Sequence, residues 1–221
     1  NGVLIFDPHT RRQRNQLVWA DRTGGKTGSL ERFAGASTLR LSPDDKRVAV
    51  SRSDFQTTND LWLADATGGN LTRFTFDPAS DVFPVWSPDG SRITWSSNRE
   101  GLYHLYQKAA SGAGQDTLLL KSKNFAFPTD WSRDGRYLIY REIDPKTNYD
   151  VRVLPLDGKQ QPFPVLQTEA NEGAAVLSPD GQWLPYVADE SGRQEVYVQS
   201  FPGGGGKRQV SAGGAVGPQW R

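Results

Sequence analysis

The segment FPVWSPDGSRITWSSNREG, Phe83 to Gly101, places two short apolar stretches on either side of a Ser-Pro-Asp-Gly reversal. Pro88 presets φ near roughly −65°, Asp89 can bond its own backbone, and Gly90 accepts the positive φ that a tight reversal needs. Phe83 to Trp86 lead into the turn. Beyond it, Ile93 and Trp95 stand two residues apart, the period that puts both on one face of a strand. The segment therefore reads as strand, turn, strand.

The same signal recurs outward from it, as SPDD at Ser42 to Asp45, SRDG at Ser132 to Gly135 and SPDG at Ser178 to Gly181, at intervals of 45, 45 and 46 residues. Val48, Leu138 and Leu184 correspond to Ile93, and Val50, Tyr140 and Tyr186 to Trp95. These positions are expected to pack between neighbouring units. Asp45 stands where the other turns have glycine and is expected to tolerate the positive φ less comfortably. A third strand is marked by Leu61-Trp62-Leu63, Leu105-Tyr106, Val151-Arg152-Val153 and Val196-Tyr197-Val198, and a fourth, outer strand closes each unit.

Four strands per about 45 residues, with aromatic marks in register, is the pattern of a β-propeller blade, which buries both faces only against its neighbours. Helical repeats of this length need a 3.6-residue apolar rhythm, which Pro and Gly interrupt throughout. The 23 Gly, 14 Pro and 11% aromatics agree. The expected fold is an all-β propeller of about five four-stranded blades, at residues 1–38 with 215–221, 39–80, 81–124, 125–170 and 171–214. Residues 1–33 supply second, third and fourth strands at Val3 to Phe6, Leu17 to Trp19 and Leu30 to Phe33. Val216 to Trp220 is therefore expected to complete the first blade and close the ring, removing open sheet edges. The chain begins without Met and stops within a repeat, so it is expected to be a piece of a longer protein.

Charge sets limits on partners. With 26 Lys+Arg against 25 Asp+Glu, no net field favours nucleic acid or an anionic membrane. No run approaches the roughly 18 apolar residues of a membrane-spanning helix, and no signal peptide opens the chain. Without Cys there is no disulfide, thiolate metal site or thiol nucleophile.

The repeats resemble the Pro-Asp propeller repeats of TolB-like, WD-like bacterial β-propellers. They are similar above all to the C-terminal propeller of bacterial receptor-type Ser/Thr protein kinases, through RFTFDPASD at Arg73 to Asp81, FPTDWS at Phe127 to Ser132 and ADESGRQEVYVQSFPG at Ala188 to Gly203. The resemblance implies a sensor module, periplasmic or extracellular, attached to a kinase domain. The kinase motifs themselves are absent from these residues. Two departures from the family pattern bear on regularity: Arg152 replaces an aromatic of the third strand, and Pro185 removes a ladder donor from a second strand.

The chemistry-bearing residues are sparse. A serine hydrolase needs a nucleophile elbow and a His base; there is no Gly-x-Ser-x-Gly, and His9 and His104 are the only histidines. His104, beside Tyr103 and Tyr106, reads as a half-exposed strand histidine, and His9 as a loop residue. Asp44, Asp89, Asp134 and Asp180 read as turn formers, because calcium needs six to eight converging oxygens. They also differ from the sialidase Asp box, since Gly follows Asp directly. Asn70-Leu71-Thr72 fits a glycosylation sequon but serves a turn. Arg11, Arg12 and Arg14 read as a solvated loop. No catalytic residue, metal or cofactor is expected.

In an up-and-down blade the second-to-third loops and the blade-to-blade crossings share one face, where the longer loops fall. The crossings, at residues 77–83, 121–127 and 167–173, should ring one mouth of the central channel. The candidate ligand-binding residues are Asp77, Asp81, Phe83, Lys123, Asn124, Phe125, Glu169, Asn171 and Glu172, joined by Lys121 and Phe127. Such a mixture suits a protein, peptide or small ligand. The leading expectation is a noncatalytic recognition or sensor module. The alternatives are a carboxylate-based hydrolase or lyase propeller, which needs two converging acids and a sugar-stacking aromatic, and a structural assembly scaffold, which needs an exposed apolar patch.

Overall fold

The computed structural model describes residues 3–6, 17–21, 23–30, 35–53 and 58–220, and every regular element among them is a strand. Five antiparallel sheets follow one another along the chain. Blade one holds β1 (Val3–Phe6), β2 (Leu17–Ala20) and β3 (Lys26–Leu30). Blade two holds β4 (Ala36–Leu41), β5 (Arg47–Ser53), β6 (Asn59–Asp65) and β7 (Thr72–Arg73). Blade three holds β8 (Asp81–Trp86), β9 (Arg92–Glu100), β10 (Leu102–Ala109) and β11 (Thr117–Leu120). Blade four holds β12 (Phe125–Trp131), β13 (Tyr137–Asp144), β14 (Asn148–Pro155) and β15 (Phe163–Leu166). Blade five holds β16 (Glu172–Gly173), β17 (Trp183–Ala188), β18 (Glu195–Ser200) and β19 (Arg208–Gln209). The chain is an all-β propeller of about five blades.

Each Ser-x-Asp turn is a small hydrogen-bonded unit. Ser87 Oγ donates to Asp89 at 2.5 Å and accepts the Arg92 N–H at 2.9 Å, while the Gly90 N–H donates to the Ser87 carbonyl at 2.8 Å. Ser42, Ser132 and Ser178 donate likewise to Asp44, Asp134 and Asp180 at 2.6, 2.7 and 2.5 Å. The Ser87 hydroxyl, ahead of the Ser91 N–H, holds the Asp89 carboxyl down to about 2. These carboxylates are therefore spent on the turns. Asp45 takes the left-handed φ of 59° beside 68°, 75° and 70° at Gly90, Gly135 and Gly181.

Val48, Ile93, Leu138 and Leu184 are fully buried, as are Val50, Trp95, Tyr140 and Tyr186 to within 1%. They fill the seams between blades: Ala49 and Leu61 of blade two meet Trp86, Ile93 and Trp95 of blade three, and blades four and five share Ile139, Val151, Leu184 and Tyr186. Because neighbours cover both faces of a blade, β9 buries five consecutive residues, Ile93 to Ser97, instead of alternating. The same effect corrects the reading of His104. It is 3% exposed: His104, Leu105 and Tyr106 pair in regular register with Ser97, Ser96 and Trp95 and so alternate faces, yet all three are buried.

Other differences from the sequence reading have local causes. Blade two opens at Ala36, not at residue 39, because a bulge between Ala36 and Thr38 lets β4 continue upward. The third strand of blade one is Lys26–Leu30, and residues 31–33 of the expected outer strand lie outside the described residues. Val216 to Trp220 is not hydrogen-bonded into a sheet, so blade one keeps three strands among the described residues. The approach to it is tied to blade five: the fully buried Glu195 carboxylate accepts the Gly213 and Gly214 N–H groups at 2.9 and 3.0 Å, and the Ala215 N–H donates to the Gln194 carbonyl. Both glycines take positive φ, 110° and 98°, which no strand uses. Pro185 has the expected effect, since it has no N–H to donate and β16 is only two residues long. Arg152 sits opposite Tyr140 where blades three and five stack Trp95 on Tyr106 and Tyr186 on Tyr197.

Candidate functional site

The innermost strands β4, β8 and β12, with the segment after β16, line the axial channel. Counting back four residues from each turn serine gives Thr38, Phe83, Pro128 and Ala174, one residue per blade. At this level the ladders of β4, β8 and β12 slip register, and Phe83 and Ala174 take left-handed φ values of 56° and 48°. A phenylalanine in that region costs on the order of 1 kcal/mol or more. All four residues line one cavity of about 330 Å³, the channel waist. Above it, toward the crossings, Asn171, Glu172, Asp189 and Gln194 border a vestibule of about 470 Å³. Below, toward the Ser-x-Asp turns, Trp86, Asp130 and Trp131 border a third space of about 500 Å³.

The residues expected at the mouth separate into groups. Phe83 reaches the waist, edge-on to Phe127 at 5.2 Å. Asn171 and Glu172 reach the vestibule. The Asn171 N–H and side-chain amide both donate to Asp189, at 2.8 and 2.6 Å. Glu172 is buried and accepts the Thr168 hydroxyl at 2.5 Å; burial pushes its carboxyl above the ordinary range. Asp77 and Asp81 belong instead to an ion cluster of blade three, in which Arg99 lies 3.8 Å from Asp77, 3.4 Å from Asp81 and 3.0 Å from Asp116. Asp81 is fully buried there, and burial pushes its carboxyl up. Phe125 is 37% exposed and edge-on to Tyr103, which packs in turn on Phe127. The Asn124 N–H donates to Ser122 at 3.1 Å, and Lys123 and Glu169 are exposed. His9 and the Arg11, Arg12 and Arg14 loop lie outside the described residues.

Two arginines that the sequence reading passed over stand at the ends of the waist. Arg40 lines the waist and the space below, and donates to the Leu39 and Thr129 carbonyls at 3.1 and 3.3 Å. Arg141 lines the waist and the vestibule. Its guanidinium stands 4.5 Å from the Tyr149 ring centroid, 5.4 Å from Phe127 and 6.0 Å from Phe83, and burial holds it below its ordinary pKa. The signal was present in the repeat: nine residues after each turn serine stand Ser51, Ser96, Arg141 and Val187, and only blade four carries a cation there.

Residues 11–163 match the family model described as the TolB beta propeller domain. Among curated relatives, the chain is 30% identical over 119 residues to tricorn protease homolog 1 of Streptomyces coelicolor, covering 52% of this chain and 11% of that protein. It is 36% identical over 87 residues to the Tol-Pal system protein TolB of Anaeromyxobacter dehalogenans, covering 39% of this chain and 20% of that protein. The chain thus spans a fifth or less of these two relatives. The crystal structure of TolB from Acinetobacter baumannii superposes with a TM-score of 0.78 at 21% identity, over 98% of this chain and 53% of that one, a likeness of fold. With more than half of its length matched by the family model, the chain belongs to the TolB beta propeller domain family.

Proposed function

We propose that this propeller is a noncatalytic recognition module that takes a protein or peptide at the crossing-face mouth of its channel, as the sensor part of a larger signalling protein. The observation that carries the reading is the layered channel. A polar vestibule holding Asn171, Asp189 and Gln194 opens onto a waist walled by Leu39, Phe83, Pro84, Phe127 and Pro128. A concave site with apolar walls and a few fixed polar groups is the usual form of a binding pocket. Resemblance to kinase-attached propellers supports an extracytoplasmic sensor joined to a Ser/Thr kinase.

The test is selection of binders from a random peptide library on the 221-residue chain, followed by affinity measurements on surface variants. Phe125→Ser and Asn171→Ala, at the mouth, are expected to weaken the selected peptides several-fold, and Lys46→Ala and Lys159→Ala, on the opposite face, to leave them unchanged. Peptides that respond only to the opposite-face variants, or that the chain cleaves, would overturn the reading.

A further inference from the structure

We propose that Arg141 anchors a carboxylate subsite at the channel waist, which takes the C-terminal carboxylate of a peptide whose apolar last side chain fills the waist cavity. The proposal rests on the reading of the channel mouth as a recognition site and names its ligand chemistry.

The position itself is informative. Ser51 and Ser96, the counterparts of Arg141, spend their hydroxyls on the next blade, donating to the carbonyls of Asp81 at 3.3 Å and Ala126 at 2.6 Å. Blade four has a long cation at the same place. The neighbouring blade leaves room for it: a Cβ built on Gly173 would lie 3.2 Å from Arg141 Cδ, whereas Ser37, Val82 and Phe127 occupy the matching places in the other blades.

Among the described residues no carboxylate lies within 4 Å of the Arg141 guanidinium, and its buried Nε has no acceptor. Of the carboxylates that border the same vestibule, Asp189 takes the two donors of Asn171, and Glu172 takes the Thr168 hydroxyl through one oxygen while its other oxygen is buried without a partner. The aromatic rings engage the guanidinium through π contacts, which leave its in-plane N–H groups able to meet a carboxylate in a two-pronged bond. A half-buried cation without an anion is costly, and an arriving carboxylate relieves that cost. Arg40, at the other end, is already bonded to two carbonyls and faces Asp130, so it competes poorly for the anion.

The surroundings select the rest of the ligand. The waist offers about 330 Å³ between apolar walls, the low end of small-ligand pockets and suited to one large side chain. The vestibule amides of Asn171 and Gln194 stand where a peptide backbone would lead out toward solvent.

Isothermal titration calorimetry on the 221-residue chain with acetyl-Ala-Ala-Phe, its C-terminal amide and 3-phenylpropanoate tests this. The acid is expected to bind at least about tenfold more tightly than the amide, because charge-assisted hydrogen bonds are lost in the amide. Arg141→Ser, which installs the residue of blades two and three, should abolish the difference, and Arg141→Lys should restore part of it, with circular dichroism and melting confirming that both fold. Equal binding of acid and amide, an unchanged preference in Arg141→Ser, or no binding of the acid at about 1 mM would overturn the subsite. Binding of 3-phenylpropanoate as tight as the tripeptide acid would overturn the peptide end as its source. Library peptides that bind Arg141→Ser unchanged while remaining sensitive to Phe125→Ser would remove the subsite and leave the recognition reading standing. An acid-selective waist on a chain that yields no library peptide would do the reverse.

Discussion

The Asp130 carboxylate accepts the Leu177 N–H at 2.6 Å across 47 residues of sequence, so one side chain of blade four holds the entry strand of blade five. Burial raises this carboxyl to about 6 despite that bond and the nearby Arg40. The folded chain therefore takes up the proton more readily than the unfolded one. Stability from this group increases as pH falls from about 6 toward 3.8, and the ionised form is a burden above 6. Asp130→Asn keeps an acceptor for Leu177 without the charge. It is expected to match or exceed the parent by about 1 to 2 kcal/mol at pH 7.5 and to lose the advantage by pH 4.5, as read by urea midpoints at both values.

Arg152 donates to the Tyr140 hydroxyl at 3.2 Å and lies 3.3 Å from Glu142, whose other oxygen accepts the Ser122 hydroxyl at 2.5 Å. Arg152→Tyr offers the ring pair of blades three and five but strands the buried Glu142. A loss of about 1 to 3 kcal/mol is expected. Adding Glu142→Gln should recover most of it in a double-mutant comparison, and failure to recover would show that the cation is not there for Glu142.

Asp45→Gly removes a side chain from a φ of 59° and retains the turn bond from its N–H to the Ser42 carbonyl at 2.9 Å. A gain of about 0.5 to 1 kcal/mol is expected in thermal melts, with a loss of similar size for Gly90→Asp.

Glu195 is held down to about 2, first by the Ser211 hydroxyl and then by the N–H groups of Gly213 and Gly214. Its hold on those residues is complete above the ordinary 4.5 and fades as pH falls toward 2. Glu195→Gln should show at pH 7 the reduced protection from hydrogen exchange, relative to the intrinsic rate, at Gly213 and Gly214 that the parent shows only in acid, with the protection of Leu184 and Tyr186 unchanged.

Much of the fold was legible because its decisive interactions are local. Ser, Asp and the fourth residue of each turn, Gly or Asp45, bond one another within five residues, so the reversals at Ser42, Ser87, Ser132 and Ser178 are written in the chain itself. The channel was less legible, since reaching it depends on which residue the bulges of β4, β8 and β12 turn inward. Asp81 and Glu172 were read as rim acids because the crossings pass the mouth, yet both are buried, the first by Arg99 in its own blade and the second beneath Thr168. Arg141 escaped notice because an arginine in a strand is commonplace. Only alignment of the blades sets it against Ser51, Ser96 and Val187.

The ring of Thr38, Phe83, Pro128 and Ala174 separates what makes the propeller from what lines its pore. The turn bonds and the seams between blades lie on other residues, and the four blades agree on those while differing at the waist. The pore is thus spelled by a short word, one letter from each duplicated unit, and a different word can be written on the same frame. A lineage or a designer can retune what passes or lodges there by exchanging single letters, with the architecture left to the repeats.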